Sequence, residues 1–261
     1  MKDLDRLPFS NRLLKETHAT LLSGVRGKHK LPGEFRSSQN WIGPSLKNAT
    51  FIPPHHEHLD ELMSDMEKFL NSEELHSHPL LRIAISHYQF ETIHPFLDGN
   101  GRLGRLMISL YLSAVGLLKN PCLYLSDYFE KNKTAYIDHL MAVREGNHLR
   151  EWLVFFLHGV VETAKDSARV FREILVIKGD IEREVLPRFS SRRQDNAQAL
   201  MRHLYGRPIV DVKKVAKLTQ SSINTATSLI NDLIEYDMLV EATGQRRNRL
   251  FIFSRYVNLF T

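Results

Sequence analysis

The stretch His94-Pro95-Phe96-Leu97-Asp98-Gly99-Asn100-Gly101-Arg102-Leu103-Gly104-Arg105 decides the reading of this chain. It sets a short polar loop between two segments that are apolar nearly all round. Residues 80–93 carry Leu80, Leu81, Ile83, Ala84, Ile85, Tyr88 and Phe90, the pattern of a central buried helix. Residues 103–118 are alike, with Leu106, Met107, Ile108, Leu110, Tyr111 and Leu112, and end near Gly116. Glycines let the loop backbone approach a ligand closely, and the start of the following helix leaves several N–H groups without intrahelical partners. Together with the positive helix end these make an anion site. Arg102 and Arg105 are three apart, share a face of the first turn, and can reach one polyphosphate. Asp98 beside such a cradle makes sense if a divalent cation, Mg2+, bridges carboxylate and phosphate oxygens. His94, closing the preceding helix, is suited to take a proton from an attacking hydroxyl. The set is equipment for in-line attack on a nucleotide phosphate.

Working outward, helical periodicity covers 8–26, with Pro8 and Ser10 at its start, and 58–70. Poor periodicity marks 35–54, with Gly43-Pro44 as a turn and 48–52 as a short extended segment. Further helices are predicted at 126–144, 149–172 and 172–185. No strand run long enough for a sheet occurs before residue 180, so this part reads as all-α. A basic linker, 187–193, leads to helices at 197–205, 212–218 and 222–236. Two short strands follow, Leu239-Val240-Glu241 and Arg249-Leu250-Phe251-Ile252-Phe253. That order is the winged-helix order, so the fold class is an all-α domain over 1–186 followed by a small α+β winged helix over 190–261.

The chain has 261 residues, 43% hydrophobic and 25% charged, the composition of an ordinary globular protein. One cysteine, Cys122, excludes an internal disulfide framework and reads as a small buried hydrophobe. No run of about 18 apolar residues spans a membrane, and no hydrophobic leader precedes Arg6; a cytoplasmic location is expected. The net charge is +5, and residues 181–261 hold 13 Lys+Arg against 8 Asp+Glu, so the whole excess lies in the C-terminal third. The run His55-His56-Glu57-His58 reads as solvated residues at a helix start, since spacing alone is a weak metal signal. His76, His78 and His87 read as surface or satisfied core residues.

The stretch from His94 to Arg105 resembles the Fic motif, histidine-x-phenylalanine-x-Asp/Glu-Gly-Asn-Gly-Arg-x-x-arginine, at every fixed position. Gly24-Val25-Arg26-Gly27, Pro32-Gly33-Glu34-Phe35-Arg36, Gln39-Asn40-Trp41-Ile42-Gly43 and Phe51-Ile52-Pro53-Pro54 are similar to segments that precede a Fic core. Tyr124-Leu125-Ser126 and Trp152 are similar to those after it. The resemblance implies protein AMPylation: transfer of AMP from ATP to a Ser, Thr or Tyr hydroxyl of a target protein and of the chain itself, with release of pyrophosphate. It implies His94 as general base and Asp98 as the Mg2+ ligand. Gly99, Asn100 and Gly101 would be the anion hole, and Arg102 and Arg105 would hold the outer phosphates, with Leu103 and Gly104 in the same nucleotide-binding run. Tyr136 matches the first of a Tyr-Tyr pair near the adenine, with Ile137 at the second position. Asn48, Ala49, Thr50, Phe51 and Ile52 correspond to a flap that aligns the target by strand-like pairing. Relatives carry an upstream Ser/Thr-x-x-x-Glu-Gly/Asn inhibitory signature. Here Ser126-Asp127-Tyr128-Phe129-Glu130 is followed by Lys131, and the expectation is a form lacking that brake and more active than a longer version.

The competing reading is a DNA-binding regulator whose Fic domain only binds nucleotide. The predicted recognition helix, 222–236, has no Lys or Arg, although Asn224, Thr225 and Asn231 could read bases. Positive charge lies in Arg246, Arg247 and Arg249, in Lys213, Lys214 and Lys217, and in Arg192 and Arg193, which suits gripping phosphates. Docking of a protein partner, or self-association, stands beside DNA as a use for this tail.

Overall fold

Ser10 accepts a hydrogen bond from the Leu13 N–H and so caps helix α1 (Asn11–Leu22). The computed structural model describes residues 9–23, 30–119, 123–245 and 247–260. Pro8, Gly24-Val25-Arg26-Gly27, Cys122 and Arg246, all given roles above, lie outside the described residues. The helix expected at 8–26 is thus seen as Asn11–Leu22, with Leu14, His18 and Leu22 on its buried side. Asn11 ties it to α2 (Leu59–Asn71), its backbone N–H donating to Glu67 Oε2 at 2.7 Å and its side chain to Met63 O at 3.0 Å.

Two helices carry the site. In α3 (Pro79–Ile93), Pro79 starts the first turn, and Ile83, Ala84, His87, Phe90, Glu91 and Ile93 are buried around the helix. α3 packs against both α2 and α4 (Asn100–Ala114). The predicted 103–118 helix therefore starts three residues earlier, inside the motif, and stops short of Gly116, whose φ of +75° ends it. The helix expected at 126–144 is two, α5 (Leu125–Lys131) and α6 (Lys133–Gly146). Asn132 breaks it, its side chain donating to Tyr128 O at 2.9 Å. The two helices expected at 149–172 and 172–185 are one, α7 (Leu149–Asp180), continued by a π-helical turn over Ile181–Val185. Trp152 and Phe156 of α7 are fully buried, and Trp152 Nε1 donates to Ala84 O at 2.9 Å.

The chain forms two compact units, one ending at Lys165 and the other beginning at Asp166. That division lies upstream of the boundary expected at 186–190, because Ile177, Ile181, Val185 and Leu186 pack into the second core. The described part of the first unit is helical, with one isolated antiparallel bridge, Ile42 to Phe51. In the second unit α8 (Ser191–Leu204) begins within the expected linker. It is followed by β1 (Ile209–Asp211), α9 (Val212–Leu218), α10 (Ile223–Glu235), β2 (Val240–Glu241), β3 (Leu250–Ile252) and α11 (Ser254–Val257). The sheet is antiparallel in the order β1-β3-β2, with Val210 opposite Phe251 and Val240 opposite Ile252. β1 was not visible as a strand, since three residues are too few to display alternation. Asp211 and Ser222 cap α9 and α10 through Lys214 N and Thr225 N. No described helix is long and apolar enough to cross a membrane.

Candidate active site

The loop is built from two facing helix ends. His94 is the left-handed C-cap of α3, at φ +50° and ψ +59°, and Gly99 is the left-handed N-cap of α4, at φ +80°. Asn100, the first residue of α4, is spent on the loop itself. It is 2% exposed, its Oδ1 accepts from the Phe96 N–H at 2.9 Å, and its Nδ2 donates to Phe96 O at 2.7 Å. The backbone N–H and C=O of one residue are both locked, and Phe96 stays fully buried. Any anion-hole role of Asn100 therefore falls to its backbone N–H.

Two residues outside the motif hold this loop. Arg36, buried, donates through Nε to His94 O at 3.0 Å and through Nη1 to Ser38 O at 3.0 Å. Its Nη2 reaches Pro54 O and, at 3.4 Å, Ile93 O. His18, also buried, accepts the Gly33 N–H at Nδ1 (2.9 Å), so its proton is on Nε2, which donates to Asp98 O at 2.9 Å. Its ring stacks on Phe96 with centroids 3.9 Å apart. The sequence reading gave neither residue a role; a histidine on the buried stripe of α1 looks like any core position.

The His94 ring is mostly enclosed, and its Nδ1 is buried without a hydrogen bond of normal geometry. Burial, aided by Arg144 and Arg36, lowers its pKa to about 4, so the imidazole is neutral at physiological pH. Asp98 is half exposed; its Oδ1 accepts the Gly99 N–H at 2.6 Å and lies 3.8 Å from Arg102 Nη2. Arg102 flanks Gly99, with Nη2 3.6 Å from where a Cβ would stand, and Arg105 flanks Gly101, with Nη1 3.2 Å from the equivalent point. The structure thus brings His94, Asp98, Gly99, Gly101, Arg102 and Arg105 together around one loop. Among the described residues no group of three or more His, Cys, Asp and Glu could hold a metal by itself. A single accessible carboxylate fits a Mg2+ that takes its remaining ligands from water and phosphate.

Three residues expected among the nucleotide contacts are engaged in packing. Leu103 is fully buried, and its N–H is used by Gly99 O at 2.9 Å. Gly104 is pressed against Glu91 and Phe90, and its carbonyl meets His87 Nδ1 at 3.0 Å. The Tyr136 hydroxyl is buried against His87 Nε2 at 2.9 Å, and its ring stacks on Phe129 at 4.6 Å. Leu103 and Gly104 thus lie on the buried face of α4, and Tyr136 of α6 packs against His87 of α3 and Phe129 of α5. In the expected flap, Asn48 closes a 3-10 turn (Leu46–Asn48), so the extended part is Ala49, Thr50, Phe51 and Ile52. Thr50 N–H donates to Ile42 O at 2.7 Å, and Ile42 N–H to Phe51 O at 2.9 Å. Arg144, missed by the sequence reading, stands 3.9 Å over the Phe51 ring and donates to Glu91 O at 3.1 Å and Thr92 Oγ1 at 3.2 Å.

Residues 8–112 match the Fic/DOC family. The chain is similar to the protein adenylyltransferase Fic of Drosophila erecta, 41% identical over 32% of this chain and 16% of that protein. It is also similar to that of Aedes aegypti, 34% identical over 44% of this chain and 21% of that protein. The matched part thus spans about a fifth or less of those curated relatives. In fold it is similar to a Fic family protein of Desulfovibrio desulfuricans, with TM-score 0.55 and 20% identity over 97% of this chain and 71% of that one. A Fic-domain signalling protein of Bacteroides thetaiotaomicron gives TM-score 0.51 and 19% identity over 64% of this chain and 65% of that one.

Proposed function

We propose that this protein transfers AMP from ATP to a hydroxyl of a target protein, and to a hydroxyl of its own. The observation that carries the reading is the neutral His94 that closes α3, on the same short loop from which Asp98, Arg102 and Arg105 follow at the start of α4. His94 takes the hydroxyl proton as the oxygen attacks the α-phosphorus; the bond to the bridging oxygen breaks and pyrophosphate leaves. Free N–H groups at the start of α4 and the two guanidiniums carry the charge that develops. Asp98 would hold Mg2+, which supplies Lewis-acid stabilisation of the phosphates when bound. The ribbon of Ile42 and Phe51 would present the target segment as an added strand.

The test is incubation with ATP labelled at the α-phosphate, comparing the wild-type chain with His94→Ala. Label on the wild type alone supports the reading. No label on any offered protein refutes it.

For the second unit, helices α8, α9 and α10 followed by the β2–β3 ribbon support a winged-helix assignment. One observation favours an anionic partner such as DNA. Lys213, Lys214, Lys217 and Arg207 make no ion pair among the described residues, whereas Asp232, Glu241 and Asp180 are paired with Arg193, Arg249 and Arg255. Affinity for duplex DNA that falls steeply with added salt would support this, and its absence at low salt would refute it.

A further inference from the structure

Glu91 stands one turn before His94, outside the motif, in an environment that the proposed chemistry leaves unexplained. Its side chain is buried and Oε1 has no hydrogen-bond partner. A Cβ on Gly101 would lie 3.2 Å from Arg105 Nη1 and 3.9 Å from Glu91 Oε1, so the two groups flank the side chain that Gly101 lacks. Gly104 crowds the same carboxyl, since a Cβ there would come within 2.5 Å of Oε1. Among the described residues no ion pair joins Glu91 to Arg105, and none includes Arg105. An acid and a base, both unpaired, therefore face one another across a gap kept open by glycine.

We propose that Glu91 is a positioning residue for Arg105: as a carboxylate it draws the guanidinium from an incoming nucleotide, and as a neutral acid it leaves Arg105 to the phosphates. The inference rests on the adenylyltransferase reading, because it takes a nucleoside triphosphate as the ligand. The groups around Glu91 are Arg105 from α4, Arg144 and Tyr136 from α6, and His87 and His94 from α3. Burial raises Glu91 to about 7 against the pull of Arg105 and Arg144. His87 and His94 sit at about 4 and Tyr136 well above 10. Near neutral pH, Glu91 is the member of this cluster that changes charge. A polyphosphate disfavours the carboxylate, so binding takes up a proton and weakens as pH rises.

The experiment measures binding of Mg2+ with an ATP analogue blocked at the α,β bridge, between pH 6 and pH 8, to the wild type and to Glu91→Gln. Calorimetry in two buffers of different ionisation heat counts the protons. The wild-type Kd is expected to rise about five-fold over this range with net proton uptake, and Glu91→Gln to flatten the rise that exceeds the analogue's own titration. Equal pH dependence in both proteins overturns the inference while leaving the adenylyltransferase reading intact. A lowered Tm with an unchanged pH slope marks a merely structural role and overturns it too. If Glu91→Gln does not fold, wild-type proton uptake decides, and none beyond that of the analogue overturns the inference. No binding by the wild type at any pH overturns both readings.

Discussion

Removing Arg36 asks whether a residue far from the motif in sequence holds the proposed base in place. Its guanidinium is buried and donates to four backbone carbonyls, those of Ser38, Pro54, Ile93 and His94, and burial depresses its pKa. Its own N–H adds a bond to Pro95 O at 2.9 Å, which any substitution other than proline keeps. In Arg36→Ala, His94 O retains Asn40 Nδ2 at 3.3 Å, but Ser38 O and Pro54 O lose the charged donor. Bonds to a charged donor contribute about 1.5–3 kcal/mol each and are not additive, so the loss should be about 3–5 kcal/mol. Arg36→Lys keeps the charge but cannot point one ammonium at carbonyls in several directions; about 1–3 kcal/mol is expected. Urea unfolding followed by tryptophan fluorescence suits the measurement, because Trp41 and Trp152 both lie in the first unit. AMP transfer should fall further than the folded fraction, since the His94 carbonyl loses its main clamp. An Arg36→Ala protein destabilised by less than about 1 kcal/mol, with transfer intact, would refute the reasoning.

Two further predictions follow from the packing beneath the loop. Gly104→Ala places a Cβ 2.5 Å from Glu91 Oε1 and 3.1 Å from Phe90 Cδ1, inside a buried layer, so it should destabilise by about 1–3 kcal/mol, read as a lower urea midpoint. For pH, His87 and His94 are held neutral at about 4 in the folded state, so from pH 6.5 down to 4 the unfolded chain binds more protons and stability falls on acidification. Glu91, raised to about 7, works oppositely, its contribution being lost as pH rises from 4.5 towards 7. The net near pH 5.5 is about one proton taken up on unfolding, or about 1 kcal/mol per pH unit, and Glu91→Gln should roughly double that slope. A urea midpoint unchanged between pH 6.5 and pH 4.5 would contradict both assignments.

Much of the candidate site was legible because the proposed chemistry needs particular residue types in one contiguous run. His94, Asp98, Gly99, Gly101, Arg102 and Arg105 follow one another along a single loop, and the apolar faces of α3 and α4 mark where that loop must sit. The supporting residues were not legible, because their partners are distant: His18 meets Asp98, Arg36 meets His94, and Arg144 meets Phe51. A single sequence carries no signal of such pairs. Local pattern also misjudged helix limits wherever a side chain competed for the backbone, as at Asn132, or where an apolar stripe ran on unbroken, as along α7.

The histidines make the same point chemically. His18, His87 and His94 all surround the motif and are all shifted towards the neutral form by burial, so neither residue type nor burial tells which one is the base. What separates them is whether their nitrogens are already committed. His18 uses both, on Gly33 N–H and Asp98 O; His87 uses both, on Gly104 O and the Tyr136 hydroxyl. Those rings are cross-links, fixed in one tautomer, and a proton arriving at either would break a bond the loop depends on. His94 alone among the three makes no ring hydrogen bond of normal geometry, while its backbone is held by Arg36, Asn40 and Phe90. A ring that is clamped through its main chain, with a loose contact to the Glu91 backbone in place of two firm cross-links, is placed to accept a proton without loosening the loop that carries the charge.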